Sequence, residues 1–262
     1  MKILNSYFIP HWGWPWNLLW KEYMEKSWEI ELKKYLNQLW KNQEDFDAIL
    51  LITPHWEEKN ITLSFNDNYN LIYDYYGFPN NTYNVDYKVN WDKNIAKKIE
   101  KELEKNSIQS KRDYKRWLDH WSFIPLMEIF PNIDKPVIQM SISNNLSAEY
   151  HYKVWNALKE LKKEKILIIW TGMSYHNMRW FFSNDPIHRK NSIEFNNFIE
   201  ENINNINELI RWEENILSKN VHPRSEHFMP FFIILWTSIG WEIEQDIKID
   251  IYNKEIIWYK VK

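Results

Sequence analysis

Short apolar runs alternate along this chain with longer stretches of helical periodicity. Lys2 to Pro10 is extended and apolar in character and ends at His11. Glu29 to Lys41 places Leu32, Tyr35, Leu36 and Leu39 on one stripe and predicts an amphipathic helix. Ala48 to Thr53, AILLIT, is the kind of continuous apolar run that forms a buried parallel strand, and it ends at Pro54-His55. Ile61 to Phe65 is a second short strand. Asp92 caps a predicted helix to about Lys105, with Ile95, Ile99 and Leu103 at helical spacing. Pro136 to Ile142, PVIQMSI, and Lys165 to Ile169, KILII, are further strands. Between them lies a helix that Ser147 caps and that runs through Lys163 with Val154, Leu158 and Leu161 inward. Ser192 to Leu217 reads as one long helix carrying Phe195, Phe198, Ile199, Ile203, Ile206 and Ile210. Pro230 to Leu235 is a short apolar helix. Ile247, Ile249 and Ile251 alternate, and EIIWYKV suits a closing strand.

Strands alternating with helices predict an α/β fold. No repeat, linker or low-complexity stretch divides the chain, so the expected architecture is a single-domain sandwich over residues 1–262, with a largely parallel or mixed central sheet flanked by helices. Functional groups in such sheets gather beyond the carboxyl ends of the strands. His11, His55 and His176 each follow a strand or the turn after one. His120 sits in RWLDHW, and His222 and His227 in HPRSEHF ahead of an apolar run. His151 and His188, in polar surroundings, are expected at the surface.

Composition narrows the function classes. At 262 residues and 44% hydrophobic the chain can bury a substantial core. A net charge of -3 lacks the basic excess of a dedicated nucleic-acid binder. No run of about 18 apolar residues predicts a membrane span, and the amino terminus, which meets polar Asn5 and Ser6 at once and lacks a long apolar stretch, does not read as a signal peptide. A cytoplasmic protein is the expectation. The absence of Cys excludes disulfides, thiolate ligands and cysteine nucleophiles. That leaves imidazoles and carboxylates for any metal, and two strand-end histidines plus a late third ligand suit a mononuclear site with open positions, for Fe(II) or Zn(II).

Two counts stand out together: Gly 4 and Trp 17. Glycine at the usual frequency of about 7% would number roughly 18 in a chain this long. Several tryptophans stand where a chain ordinarily needs glycine. Trp12 and Trp14 flank Gly13 ahead of Pro15, Trp117 and Trp121 bracket Leu118-Asp119-His120, and Trp170 directly precedes Thr171-Gly172. One reading is a Trp-rich surface that stacks on sugars or bases. The other is a decoding effect. Some bacterial lineages read UGA as glycine and others as tryptophan, and the Asn-, Lys- and Ile-rich composition suits an AT-rich genome of that kind.

The segments FIPHWGWP, LLITPHWEE, YDYYGFP, RWLDHWSFIPL, PVIQMSI, GMSYHN and HPRSEHFMPFF, in this order to about residue 240, resemble the class III extradiol ring-cleavage dioxygenases of the LigB superfamily, in their 4,5-DOPA dioxygenase branch. Trp12, Trp14, Trp117, Trp121 and Trp170 depart from that family's pattern, which has glycine there, whereas Trp56 matches it. The resemblance implies a metal held by His11, His55 and His227, with Glu226 as an alternative third ligand and His222 supporting the ligand segment. It implies a catalytic His176, close enough to the metal to serve as a ligand, and a second active-site histidine, His120. Asn177 and Asp119 would orient those two imidazoles, although for Asp119 a simple cap is an equal reading. Tyr73, Asp74, Tyr75, Tyr76, Gly77 and Phe78 would form a loop over the pocket.

Fe(II) is the implied cofactor, with Zn(II) able to fill the same site. The implied partners are a catechol-type substrate and dioxygen, with neither nucleic acid nor membrane. His176, titrating near neutrality, would take a catechol proton and later return one, giving a ring-opened muconic semialdehyde. Three other readings use the same residues or composition: a zinc-dependent hydrolase on the same cage, a non-catalytic member of the fold, and a Trp-rich binding module.

Overall fold

A computed structural model describes residues 6–10, 27–41, 46–235 and 243–261. The chain runs β1 (Ser6–Pro10), α1 (Ser27–Lys41), β2 (Ala48–Glu58), β3 (Thr62–Ser64), β4 (Leu71–Ile72), α2 (Lys93–Lys105), β5 (Lys111–Asp113), β6 (Leu118–Asp119), α3 (His120–Ile129) and β7 (Val137–Ser143). It continues through α4 (Ala148–Leu158), β8 (Ile166–Gly172), α5 (Pro186–Asn202), α6 (Ile206–Ile210), α7 (Ser218–Val221), α8 (Met229–Leu235), β9 (Ile243–Ile251) and β10 (Lys254–Val261). Eight strands make one mixed sheet in the order β5-β3-β7-β2-β8-β1-β10-β9. Its centre, β7-β2-β8-β1, is parallel, and antiparallel pairings flank it on both sides.

Every residue of β7 and β8 is buried. That explains their continuous apolar runs: strands covered on both faces have no polar side to show. Alternation still sorts the layers. Tyr7, Ile9, Leu167 and Ile169 meet Leu39 of α1 and Ile129 and Phe130 at the end of α3. Phe8, facing the other way, packs edge-on against Phe231 of α8 at 6.0 Å. Among the described residues no helix is long and apolar enough to cross a membrane.

Where the structure departs from the expected elements, local chemistry explains it. β2 does not stop at Pro54 but runs on to Glu58. Its pairing with β7 jumps from Ile52↔Met140 to Glu57↔Ile142, so the extra residues bulge where Pro54 has no N–H to give the ladder. β8 extends through Trp170 to Gly172 instead of ending at Ile169. The helix expected through Lys163 is α-helical only to Leu158, then tightens into a 3-10 stretch that ends at Lys165 with φ 56°. The long helix expected over 192–217 is divided. α5 starts earlier, where Asp185 accepts from the Ile187 N–H and Pro186 fills the first turn, and it ends at Asn202. Asn205, at φ -116° and ψ 80°, interrupts the spiral, so beyond the break Leu209 is buried rather than Ile206. β9 and β10 close as a hairpin whose turn residues Tyr252 and Asn253 both have positive φ, as a two-residue type I′ turn requires.

His151, expected at the surface, is fully buried. Its Nδ1 donates to the Ser147 carbonyl at 2.7 Å and its Nε2 accepts from the Ser143 N–H at 3.0 Å, so a neutral ring ties the end of β7 to the start of α4. Burial pushes its pKa down to about 4, against a smaller upward pull from the Ser147 carbonyl. A depressed histidine pKa weakens folding only as pH falls through the window between the unfolded and folded values. The protein should therefore lose about 3 kcal/mol of stability through this residue between pH 6.5 and pH 4 and none above pH 7. Urea unfolding across that range, compared with His151→Gln, checks it: the variant should show a flatter dependence on pH.

Candidate active site and metal centre

Four segments bring side chains to one end of the sheet. His55 lies in the bulge of β2. β4 and β6 form a small parallel pair, Leu71↔Leu118 and Ile72↔Asp119, which sets the residues just beyond each strand side by side. The Asp74 carboxylate thereby reaches both neighbouring histidines. Its Oδ1 accepts from the backbone N–H of His120 at 3.0 Å and from His120 Nδ1 at 2.6 Å, and its Oδ2 from His55 Nδ1 at 3.1 Å. With Nδ1–H committed to the carboxylate, each ring keeps its lone pair on Nε2. Burial alone would push the Asp74 carboxyl up, but the hydrogen bonds from His120 and His55 outweigh it and hold the group well below the usual carboxylate range.

Asp119 has a different task. It caps α3, accepting from the Ser122 N–H at 3.0 Å and its hydroxyl at 3.1 Å, and pairs with Arg116. The cap starts the helix at His120, so Asp119 places that residue while Asp74 orients its ring.

The late segment closes against β8. The Met173 N–H donates to the His227 carbonyl at 3.3 Å. A Cβ on Gly172 would stand 2.8 Å from that carbonyl and 2.5 Å from the Phe8 ring, so glycine is required for the approach. The His176 N–H bonds to the Val221 carbonyl at 3.0 Å, Asn177 Nδ2 donates to the Asn220 carbonyl at 2.8 Å, and His222 Nε2 donates to the Ser174 carbonyl at 3.0 Å. Asn177 and His222 thus bind the loop after β8 to the segment carrying His227. This bond of Asn177 goes to the backbone of the late segment and not to the His176 imidazole. The rings of His176 and His227 stack 3.4 Å apart at 14°. His227 Nδ1 donates to Glu226 at 2.8 Å. Arg224 pairs with both Glu226 and Glu57, which links the His227 segment to the end of β2.

His55 joins the two halves, with ring centroids 5.2 Å from His120 and 5.4 Å from His227. The donor atoms of His55, Asp74 and His120 lie within 4.8 Å of one another, as do those of His176, Glu226 and His227. Burial, then the neighbouring imidazoles, holds His176 and His227 well below the ordinary histidine range. Neutral imidazoles backed by carboxylates are the donor chemistry of Fe(II) and Zn(II) sites, so the residues fit a bound metal.

Of the expected site residues, the structure gathers His55, His120, His176, Glu226 and His227. His11 lies outside the described residues, as do Trp12 and Trp14. His188 is partly exposed and stacked on Trp180 at 5.0 Å, away from the cluster. The sequence places Asp74 only in a covering loop, whereas the fold makes it the bridge between His55 and His120. The available signal was a lone carboxylate among aromatics in YDYYGFP. Tyr75, with its ring 5.4 Å from His120 and its hydroxyl on the Thr82 carbonyl, walls the site, whereas Tyr76 is exposed.

A mixed α/β sheet with a carboxylate-supported histidine cluster at one end defines a metalloenzyme-type site. Residues 21–257 match the family described as the catalytic LigB subunit of aromatic ring-opening dioxygenase. The chain belongs to this family, and it is an enzyme of the ring-opening dioxygenase kind. It is 32% identical to the 4,5-DOPA dioxygenase extradiol of Beta vulgaris over 72% of each chain, and 30% identical to that of Mirabilis jalapa over 81% of each. An uncharacterized Escherichia coli K12 protein of known crystal structure shares the fold over the whole of both chains, with a TM-score of 0.79 at 18% identity.

The two bonds from Asp74 carry the site's tautomers. Asp74→Asn keeps the shape but removes the charge, and should weaken Zn(II) binding by about 10–100-fold while leaving the fold intact. Competition with a chromophoric chelator, alongside circular dichroism, measures both. Unchanged affinity would remove Asp74 from the metal's support.

Proposed function

We propose that this chain, as one catalytic domain, opens the aromatic ring of a DOPA-like catechol with molecular oxygen at a single non-haem metal centre. The observation that carries the reading is the convergence of His55, His120, His176 and His227, from four separate segments, on one carboxylate-backed cluster. The names of the plant relatives support a DOPA-like substrate. His11, His55 and His227 hold the metal in this reading, with Glu226 the alternative third ligand. Fe(II) is the expected ion, and Zn(II) suits the same donors. When bound, the metal supplies an anchor for the two catechol oxygens and a path for electron density toward dioxygen.

The chain's own groups do the rest. His176, held neutral by its surroundings, accepts a catechol hydroxyl proton on a ring nitrogen and later returns it. His120 presents its Nε2 lone pair, because Asp74 keeps the proton on Nδ1. That nitrogen is buried and has no hydrogen-bond partner among the described residues, so it is ready to accept from a substrate hydroxyl. Tyr75, buried with its ring against His120, keeps water from that side of the reacting ring. The ring carbon–carbon bond beside one hydroxyl breaks, both oxygen atoms enter the product, and a muconic semialdehyde results.

Protein produced in its own host and loaded anaerobically with Fe(II) should consume one dioxygen per catechol, followed with an oxygen electrode and by the absorbance of the semialdehyde. No uptake with any catechol would end the reading. His176→Ala produced in the same way should retain its metal, measured by atomic emission, and lose about 10²–10⁴-fold in turnover. Normal turnover would remove His176 from proton transfer.

A further inference from the structure

One side chain has no place in this chemistry. Trp121, the second residue of α3, is buried, and its indole stands among all four imidazoles: 4.2 Å from His55, 4.7 Å from His227, 5.3 Å from His120 and 6.0 Å from His176, centroid to centroid. The space a ring-shaped ligand must enter to reach these nitrogens is filled by a ring of the protein. The fold does not ask for it. α3 is started by the bonds from Ser122 to Asp119, and the backbone at 121 needs no side chain to make that turn.

Other tryptophans divide in an instructive way. Trp56, Trp91 and Trp258 each place the indole N–H on an oxygen, at 3.2, 2.9 and 3.1 Å. Trp155 and Trp170 are fully buried against each other at 4.6 Å, and neither N–H has a partner among the described residues. A buried indole N–H ordinarily finds an acceptor, so these two occupy positions not built for indole. With 17 Trp against 4 Gly, the chain carries its excess of the largest residue and its deficit of the smallest together.

We infer that residue 121 decides whether this site admits a ligand, and that the working enzyme carries glycine there, through reading of a UGA codon as glycine. With the indole present the space between the imidazoles is closed; with glycine it opens to a catechol-sized ring. The inference rests on the function proposed above.

Two measurements test it. Peptide mass spectrometry of the protein from its own cells should read glycine at 121; tryptophan there would overturn the inference. Separately, the chain made with Trp121 in a standard host is compared with Trp121→Gly and Trp121→Ala, each loaded with Zn(II) and titrated with 4-nitrocatechol, whose spectrum shifts on ionisation and binding. Both variants should bind roughly tenfold tighter or better, and the second covers a failure of the glycine form to fold. Trp117→Gly, at a 41% exposed position in the same segment, should change nothing. Equal affinity with and without the indole would overturn the inference. If the variants bind 4-nitrocatechol tightly but consume no oxygen with Fe(II) and any catechol, the gate stands and the ring-opening reading fails.

Discussion

Several imidazoles can share one buried cluster only if they stay neutral and each is told which nitrogen keeps its proton. In this protein carboxylates supply that instruction. Asp74 fixes His55 and His120, and Glu226 fixes His227. A protonated ring in such company would be repelled by its neighbours and stripped of water, which is why burial and the adjacent imidazoles depress His176 and His227 together. The same condition leaves lone pairs facing inward, so the requirement for stability and the requirement for ligation coincide.

The scaffold serves this arrangement through irregularities. Pro54 breaks the ladder of a central strand and makes room for His55 at its carboxyl end. Gly172 ends β8 without a Cβ, and the His227 carbonyl approaches through the gap. The two-residue strands β4 and β6 exist to set Asp74 beside His120. Each device sits where the regular ladder is interrupted or ends, so departures from regular geometry disturb little of the packing. The regular body of the sheet, with β7 and β8 wholly buried, holds these ends in register.

Arg224 shows how charge joins the halves of the site. It pairs with Glu57, two residues after His55, and with Glu226, one residue before His227. Half exposed, the bridge adds little to global stability. Its value is geometric, because it sets the distance between two segments that are far apart in sequence.

The apolar runs and their periods were enough to determine a mixed α/β sandwich, most of its strands, and the helix starts capped by Asp92 and Ser147, because those features depend on side chains a few residues apart. The placement of histidines after strands and in HPRSEHF likewise marked most of the cluster. Tertiary structure alone decided the rest. It carried β2 past Pro54 and β8 past Trp170, since a strand's length is set by the neighbour it pairs with. It divided the helix over 192–217, whose apolar stripe continues in sequence while the surface it packs on does not. His151 moved to the core because two backbone groups there match its two nitrogens, which no local polarity reveals. Asp74 became the hinge of the site, and Trp121 its obstruction, through contacts with residues on other elements. Local pattern records what a segment prefers, and only the closed fold determines which preferences meet.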